Sequence, residues 1–319
     1  MTNITSKIIS IGSYLPQKIL TNFDLEKIID TTDEWIQSRT GIKKRHVTED
    51  QLTSDLGYLA AKKALEKSNL KAEDIDAIIV ATTTPDRTFP STATIIQNKL
   101  GIKNAFAFDV QAVCSGFVYG LDIANNFIKS GNYSNILVIG AENLSKILDW
   151  NDRNSCVLFG DGAGAVILSK SDDESGILSS CIYSDGAFGD ILQTNGGVSL
   201  NQKAGVITMN GKEVFKHAVD KMTSSILESL KLANLTIDDV DHVVSHQANI
   251  RILKSVAKKL NLQEGQAIIA VDKHANTSAA SIPLALDDYL QNNEIKKGSI
   301  IVMNALGAGL TWGSVVVRW

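Results

Sequence analysis

The stretch Phe106-Ala107-Phe108-Asp109-Val110-Gln111-Ala112-Val113-Cys114-Ser115-Gly116-Phe117 changes character twice within a few residues. Phe106–Val110 is a short run of aromatic and β-branched residues, the composition of a buried strand. Gln111–Ser115 is a turn of small residues. Gly116–Lys129 then carries apolar residues at helical spacing and stops near Gly131, a helix terminator. Strand, turn and helix follow at once, and the turn between them holds a cysteine.

The same alternation extends in both directions. Ile75–Ala81 and Ile136–Ala141 read as further buried strands. Ser54 is placed to cap a helix with Leu56, Leu59, Ala60 and Ala64 on one face. Strands alternating with helices predict an α/β fold with a largely parallel sheet. The order then recurs. Asp76–Val80 resembles Asp241–Ser245, and Ala105–Asp109 resembles Ala267–Asp272. Ser134–Gly140 resembles Ser299–Gly307, and Gly160–Leu168 resembles Gly307–Val317. Each match is weak, but their shared order indicates an internal duplication. The polar stretch Ser169–Glu174 divides the halves, giving units 1–172 and 173–319. Asp185–Ala204, rich in glycine and asparagine, reads as an irregular insertion.

Composition narrows the function. The 319 residues carry a formal net charge of −4 and are 44% hydrophobic, the profile of a globular protein. No basic block points to nucleic acid. No apolar run reaches the ~20 residues of a membrane helix. Met1–Ile9 lacks the pattern of a secretory signal. The three cysteines, Cys114, Cys156 and Cys181, lie far apart, which suits free thiols in a reducing compartment. No zinc-ligand spacing occurs. A cytoplasmic protein is the expectation.

Three polar residues stand in turns at strand ends: Cys114, His246 and Asn276. Cys114 at a helix N-terminus has unpaired N–H groups beside it, a setting that favours a thiolate. A lone cysteine is more commonly a small buried hydrophobe, and that reading applies to Cys156 and Cys181. His246 follows the strand Val243–Ser245. His46, His217 and His242 read as structural or solvated, and His274 has no evident task. Asn276 lies in a small, polar segment ahead of Pro283, where turn formation alone explains an asparagine. Cys, His and Asn in this order also suit a papain-like hydrolase, in which Asn orients His. The papain-type segment around the nucleophile is absent, however. Leu306-Gly307-Ala308-Gly309 offers backbone N–H groups to a developing oxyanion. Gly160-Asp161-Gly162-Ala163-Gly164 reads as tight packing at a strand start, since it is not a dinucleotide fingerprint.

Taken together, the motifs resemble the β-ketoacyl-acyl-carrier-protein synthase III family of the thiolase-like superfamily. The resemblance runs through Gly12–Pro16, Thr32–Ile36, Arg39–Ile42, Phe108–Val110, Cys114–Phe117, Phe159–Ala165, His246–Asn249, Asn276–Ser281 and Leu310–Ser314. It implies a duplicated, five-layered αβαβα fold and a homodimer. It also implies the initiating condensation of type II fatty acid synthesis. An acyl-CoA, often acetyl-CoA, would acylate Cys114, and malonyl-acyl-carrier protein would then lose CO2 and attack the thioester. No metal or redox cofactor is implied.

The resemblance assigns roles residue by residue. His246 and Asn276 would stabilise the enolate, and the N–H groups of Cys114 and Ala308 would form an oxyanion hole. Trp35, Arg39 and Arg153 would hold the CoA nucleotide, and Gly211, Phe215, Ala248 and Asn249 would line the pantetheine tunnel. Phe89 would close the acyl pocket across a dimer interface. Lys216, Arg251, Lys258 and Lys259 would receive the acidic carrier protein. The chain departs from the family pattern at Ala275 and Ala308, where glycines are usual, and at Asn154, where a glycine often follows the arginine. Ala308 is expected to have an ordinary φ, because alanine at positive φ is costly. A related synthase with another starter or product, and a silent carrier-protein-binding relative, are the competing readings.

Overall fold

The computed structural model describes residues 5–171 and 173–319. Met1–Ile4 of the N-terminal stretch, and Asp172 at the division between halves, lie outside the described residues. The nine principal strands are β1 (Thr5–Tyr14), β2 (Ala77–Ala81), β3 (Phe106–Val110), β4 (Asn135–Glu142), β5 (Gly162–Ser171), β6 (Gly176–Ser184), β7 (His242–Ser245), β8 (Ile300–Gly307) and β9 (Thr311–Arg318). The main helices are α1 (Asp33–Thr40), α2 (Thr53–Ser68), α3 (Thr92–Leu100), α4 (Gly116–Lys129), α5 (Gly211–Leu232), α6 (Ile250–Lys259) and α7 (Ser281–Leu290).

The strands form two sheets, ordered β1-β5-β4-β2-β3 and β7-β8-β9-β6. In the first, β2 pairs parallel to β3 and β4. In the second, β7 pairs parallel to β8. Each sheet is buried on both faces, which explains the unbroken apolar runs. Along β2, Ala77 and Ile79 face one core, and Ile78 and Val80 face another. The first core lies between the sheets. There α4, through Phe117, Leu121, Ala124 and Ile128, and α7, through Ile282, Ala285 and Leu286, fill the central layer. Helices α2 and α3 cover the outside of the first sheet, and α5 and α6 cover the outside of the second. The result is the expected αβαβα stack.

The halves repeat in local detail as well as in strand order. Before β2, the carboxylate of Asp74 accepts the Lys71 N–H at 2.8 Å, and before β7 that of Asp239 accepts the Thr236 N–H at 2.7 Å. One step on, Asp76 accepts the Asn135 N–H at the start of β4 at 3.0 Å, and Asp241 accepts the Ile300 N–H at the start of β8 at 2.7 Å. On this correspondence we propose 1–172 and 173–319 as the duplicated units.

Several sequence expectations need correction. Ser54 does not cap α2; the cap is Leu52, whose N–H is taken by the Asp55 carboxylate at 2.9 Å. The strand begun at Ile75 starts at Ala77, because Ile75 closes the short 3-10 turn Ala72–Asp74. The segment matched to β3 in the second half is no strand: Ala267 makes one isolated bridge to Val243, and Val271–His274 is a helical turn. Asp185–Ala204 is not wholly irregular, since Leu192–Thr194 pairs with Ile207–Met209 as a hairpin.

Positive φ at non-glycine residues is concentrated in two settings. Asn69, Gln202, Asn234 and Asn261 have polar side chains that tolerate it. Val113 (φ 49°), Ala275 (φ 59°) and Ser278 (φ 50°) have no such excuse, and they flank Cys114 and Asn276. Such a backbone costs about 1–3 kcal/mol per residue. Ala275→Gly removes that strain but loses a buried methyl, worth about 0.8 kcal/mol, and adds about 0.4–1 kcal/mol of unfolded-chain entropy. The terms nearly cancel, so Ala275→Gly should be neutral or mildly stabilising. Ala60→Gly, in an unstrained helix, should cost about 2 kcal/mol, from propensity and the lost methyl. Equal losses for the two in denaturant melts would refute the strain.

Candidate active site

Residues from both halves converge on one cavity of about 2190 Å³. Ordinary small-ligand pockets hold roughly 300–1,000 Å³, so the cavity suits a long substrate. Cys114, His246 and Asn276 all line it, as do Trp35, Arg39, Gly211, Phe215, Ala248, Asn249, Arg251 and Ala308.

Cys114 sits in the 3-10 turn Val113–Ser115 directly ahead of α4. The turn is clamped to the other half by Thr311, whose hydroxyl donates to the Ala112 carbonyl at 2.8 Å. The Ser115 hydroxyl donates in return to the Thr311 carbonyl at 2.9 Å. Gly307 lies against the same turn. A Cβ there would stand 2.8 Å from the Cys114 nitrogen and 2.7 Å from the Ala112 oxygen, so only glycine leaves that N–H approachable. Ala308 has an ordinary φ, as expected, and the positive φ falls on Gly309 (132°) instead. Of the two alanines, it is Ala275 that carries the strained backbone.

The thiol itself departs from expectation. A helix N-terminus favours a thiolate, but Cys114 is buried, and burial pushes its pKa up to about 12. Helix-end effects of about 0.3–1 kcal/mol do not offset that desolvation. The Glu142 carboxylate acts in the same direction on the thiol. Glu142 is fully buried and receives the Thr83 N–H at 3.1 Å and the Thr84 hydroxyl at 2.7 Å.

His246 is 2% exposed, and burial lowers its pKa to about 3. Its Nδ1 lies 2.7 Å from the Ser281 hydroxyl. Asn276 accepts the Ser278 N–H through Oδ1 at 2.9 Å, which turns its amide NH2 away from that turn. Among the described residues neither His246 Nε2 nor Asn276 Nδ2 has a protein partner, and both side chains line the cavity. The hydrolase arrangement is therefore not built: Ser281 contacts the histidine where that scheme requires Asn276. Ser278, Ser281 and Thr311 lay within the motifs quoted above, but nothing in the sequence paired them with their partners.

The remaining candidates divide. Trp35 is flanked by two guanidinium groups, Arg153 at 5.0 Å and Arg39 at 5.8 Å from the ring centroid. Arg153 donates to the Asp30 carbonyl at 2.9 Å and stays outside the cavity lining, which Asn154 reaches. Asn249 caps α6 by accepting the Ile252 N–H at 3.0 Å, while Arg251 stands over Phe215. Lys216, Lys258 and Lys259 are exposed outside the cavity. Lys259 pairs with Asp220 at 2.6 Å. Phe89 is 81% exposed and does not reach the cavity within this chain. Among the described residues no His, Cys, Asp and Glu cluster suits a metal ion, and no helix is long and apolar enough to cross a membrane.

Comparison with known proteins settles the family. The model for 3-oxoacyl-[acyl-carrier-protein (ACP)] synthase III matches residues 108–186, and that for the C-terminal part of the same enzymes matches residues 230–319. The chain belongs to the synthase III family. A beta-ketoacyl-[acyl-carrier-protein] synthase III of Ehrlichia canis is 58% identical over 315 residues, covering 98% of this chain and 99% of that protein. One from Wolbachia pipientis wMel is 57% identical over 316 residues, covering 98% and 99%. The crystal structure of 3-oxoacyl-[acyl-carrier-protein] synthase III from Aquifex aeolicus superposes with a TM-score of 0.95 at 48% identity, covering 98% of this chain and 100% of that one. Membership makes the chain an acyl-transferring condensing enzyme.

The raised thiol pKa has a direct consequence. Below its pKa, a thiol's thiolate fraction grows about tenfold per pH unit. Alkylation of Cys114 by iodoacetamide, followed by peptide mass spectrometry, should accelerate by about that factor per unit from pH 7 to 9. A plateau below pH 8.5 would mean a thiolate is already present.

Proposed function

We propose that the chain carries out the initiating condensation of type II fatty acid synthesis through an acyl-Cys114 intermediate. An acyl-CoA, with acetyl-CoA the leading candidate, and malonyl-acyl-carrier protein are its substrates. The observation that carries this reading is a thiol, an imidazole nitrogen and an amide, the last two without a partner among the described residues, opening on one long cavity in a synthase III chain.

In the first half-reaction the Cys114 sulfur adds to the acyl-CoA carbonyl. The oxyanion is met by the N–H groups of Cys114 and Ala308. The tetrahedral species collapses, the C–S bond to CoA breaks, and the thiol proton ends on CoA. Thiols are exchanged and no net charge is created, which suits a buried nucleophile. In the second half-reaction the malonyl carboxylate departs as CO2, and its bonding electrons pass to the thioester as an enolate. His246 Nε2–H and Asn276 Nδ2–H stabilise the enolate oxygen. The enolate carbon attacks the acyl-Cys114 carbonyl, and the departing thiolate takes up a proton. Every electron pair moves between carbon, oxygen and sulfur, so neither half-reaction calls for a metal or redox cofactor.

Substrate recognition follows from the surroundings. Trp35 offers a face for adenine stacking, and Arg39 and Arg153 bring fork-shaped donors suited to phosphate. Gly211, Phe215, Ala248 and Asn249 border the route of the pantetheine arm. Arg251, at the rim, leads to Lys216, Lys258 and Lys259, an approach for an acidic carrier protein. Of these, Lys259 is the least available, because Asp220 already neutralises it. Phe89, exposed in one chain, would gain a role in a homodimer by reaching a partner's acyl pocket. A cytoplasmic location accords with three unpaired thiols.

Intact mass spectrometry after acetyl-CoA tests the central claim. The wild type should gain one acetyl group and Cys114→Ala none; malonyl-acyl-carrier protein should then remove it as 3-oxobutanoyl-carrier protein. Absence of an adduct with acetyl-CoA and with longer acyl-CoAs alike would remove the proposed intermediate. Gly307→Ala probes the oxyanion site, since its methyl crowds the Cys114 N–H. Cys114 acylation should slow by roughly 100- to 1000-fold, the usual loss for one such donor, with acyl-CoA affinity little changed. An unaltered acylation rate would show that this N–H takes no part.

A further inference from the structure

His246 must present a proton, not a lone pair, to the cavity if it is to stabilise an enolate oxygen. An imidazole carries that proton on either nitrogen, and the tautomer is set by what the other nitrogen meets. In this chain Nδ1 meets Ser281, the first residue of α7. We propose that Ser281 is a positioning residue for the condensation: its hydroxyl donates to Nδ1 and thereby holds the proton of His246 on Nε2. The inference rests on the enolate-stabilising role given to His246 above.

The argument is one of counting donors and acceptors. The Ser281 oxygen lies 2.7 Å from Nδ1 and accepts the Gln247 backbone N–H at 3.2 Å. Among the described residues the hydroxyl has no acceptor other than Nδ1. Both side chains are buried, Ser281 at 1% and His246 at 2% exposure. With the proton on Nδ1, the ring would donate to Ser281, and the serine's own hydrogen would be buried without a partner. Such an orphan donor is strongly disfavoured. With the proton on Nε2, the hydroxyl donates to Nδ1, the Gln247 N–H still finds the oxygen, and the serine, Nδ1 and the Gln247 N–H are all satisfied.

The neighbours hold this arrangement in place. The Gln247 side chain donates to the Ser245 carbonyl at 2.7 Å and to the Ile268 carbonyl at 3.2 Å, and accepts the Ala270 N–H at 2.8 Å. These bonds fix the backbone that aims both the ring and the Gln247 N–H at Ser281. The ring also sits at the N-terminal end of α7, whose partial positive charge opposes protonation. Burial acts in the same sense. His246 is thus kept neutral, with a single proton directed to the cavity.

The test combines a spectroscopic and a kinetic readout. In wild-type protein with 15N-labelled histidine, the His246 nitrogen shifts should report the Nε2–H tautomer. An Nδ1–H tautomer overturns the proposal whatever the activity. In Ser281→Ala the tautomer preference should weaken or reverse. CO2 release from malonyl-acyl-carrier protein should fall roughly 10- to 100-fold, the loss seen when a hydrogen-bond partner that orients a metal-bound histidine is removed. Acetylation of Cys114, which does not use His246, should stay within about twofold of wild type on the same argument. Ser281→Thr, which restores the hydroxyl, should recover both tautomer and decarboxylation. A Ser281→Ala protein with unchanged tautomer, or with both half-reactions slowed equally, refutes the assignment. If the variants fail to fold, the wild-type spectrum decides. A wild type that never acylates Cys114 would defeat the proposed function instead, while the tautomer measurement still judges Ser281.

Discussion

The backbone of Asn276 is stitched to the opposite half of the molecule. Its N–H donates to the Leu158 carbonyl at 2.9 Å, and its carbonyl accepts the Gly160 N–H at 3.0 Å. Around this stitch the following turn, Ser278–Ala280, is pressed against β4. A Cβ on Gly140 would overlap the Ala279 carbonyl. Nothing larger than glycine allows that approach. Six residues, Asn276 to Ser281, therefore enter the centre of the molecule in a fixed pose. From that pose Ser278 orients the amide of Asn276, and Ser281 meets the ring of His246. Both donors facing the cavity are set by one short segment, held in turn by the packing of two sheets.

The strained residues fit the same logic. Val113, Ala275 and Ser278 adopt a left-handed backbone that none of them prefers. A free turn would relax. Here Thr311 ties the Val113 turn to the C-terminal half, while Asn276 ties the other two to the N-terminal half. Strain of this kind persists only where the surroundings over-determine the chain. The duplicated frame supplies that surplus, since each half holds the other's turn.

What the sequence conveyed, and what it withheld, follows from range. Phe106–Val110 and Gly116–Lys129 were legible residue for residue, because their signals are local: a short β-branched and aromatic run, then helical spacing closed near a glycine. The duplication was legible because similar runs, Asp76–Val80 and Asp241–Ser245 among them, recur in order. Errors arose where a local rule had two solutions. A serine before a helix suggested a cap, yet Asp55 satisfies the orphan N–H from inside the helix. Ala267–Asp272 has strand-like residues but no partner beyond one bridge. The three polar residues proposed for catalysis were readable, since Cys114, His246 and Asn276 each follow a strand or turn signal, but most of the cavity lining, the segment Thr82–Thr88 included, was not. Nor were the contacts that support the three. Ser281 lies 35 residues from His246, and Thr311 lies 199 from Ala112, distances over which a single chain carries no pairing signal.

The protonation states form a coherent pair. Cysteine hydrolases work from a thiolate beside an imidazolium, an ion pair that the low-dielectric interior would have to stabilise. In this cavity burial drives the two groups the other way, the thiol towards neutrality and the imidazole towards neutrality. A charged His246 would attract the malonyl carboxylate and so stabilise the group that must leave. A neutral ring with its proton on Nε2 interacts weakly with that ground state and strongly with the enolate oxygen that replaces it. Differential stabilisation of this kind accelerates a step, whereas equal stabilisation does not. A neutral His246 with its proton on Nε2 has a second effect. Such a ring offers no lone pair to take a proton from water entering the cavity, so on the proposed reaction the thioester is preserved for a carbon nucleophile that generates its own charge by losing CO2. The burial that makes Cys114 a reluctant thiolate is, on this account, the same feature that separates condensation from hydrolysis.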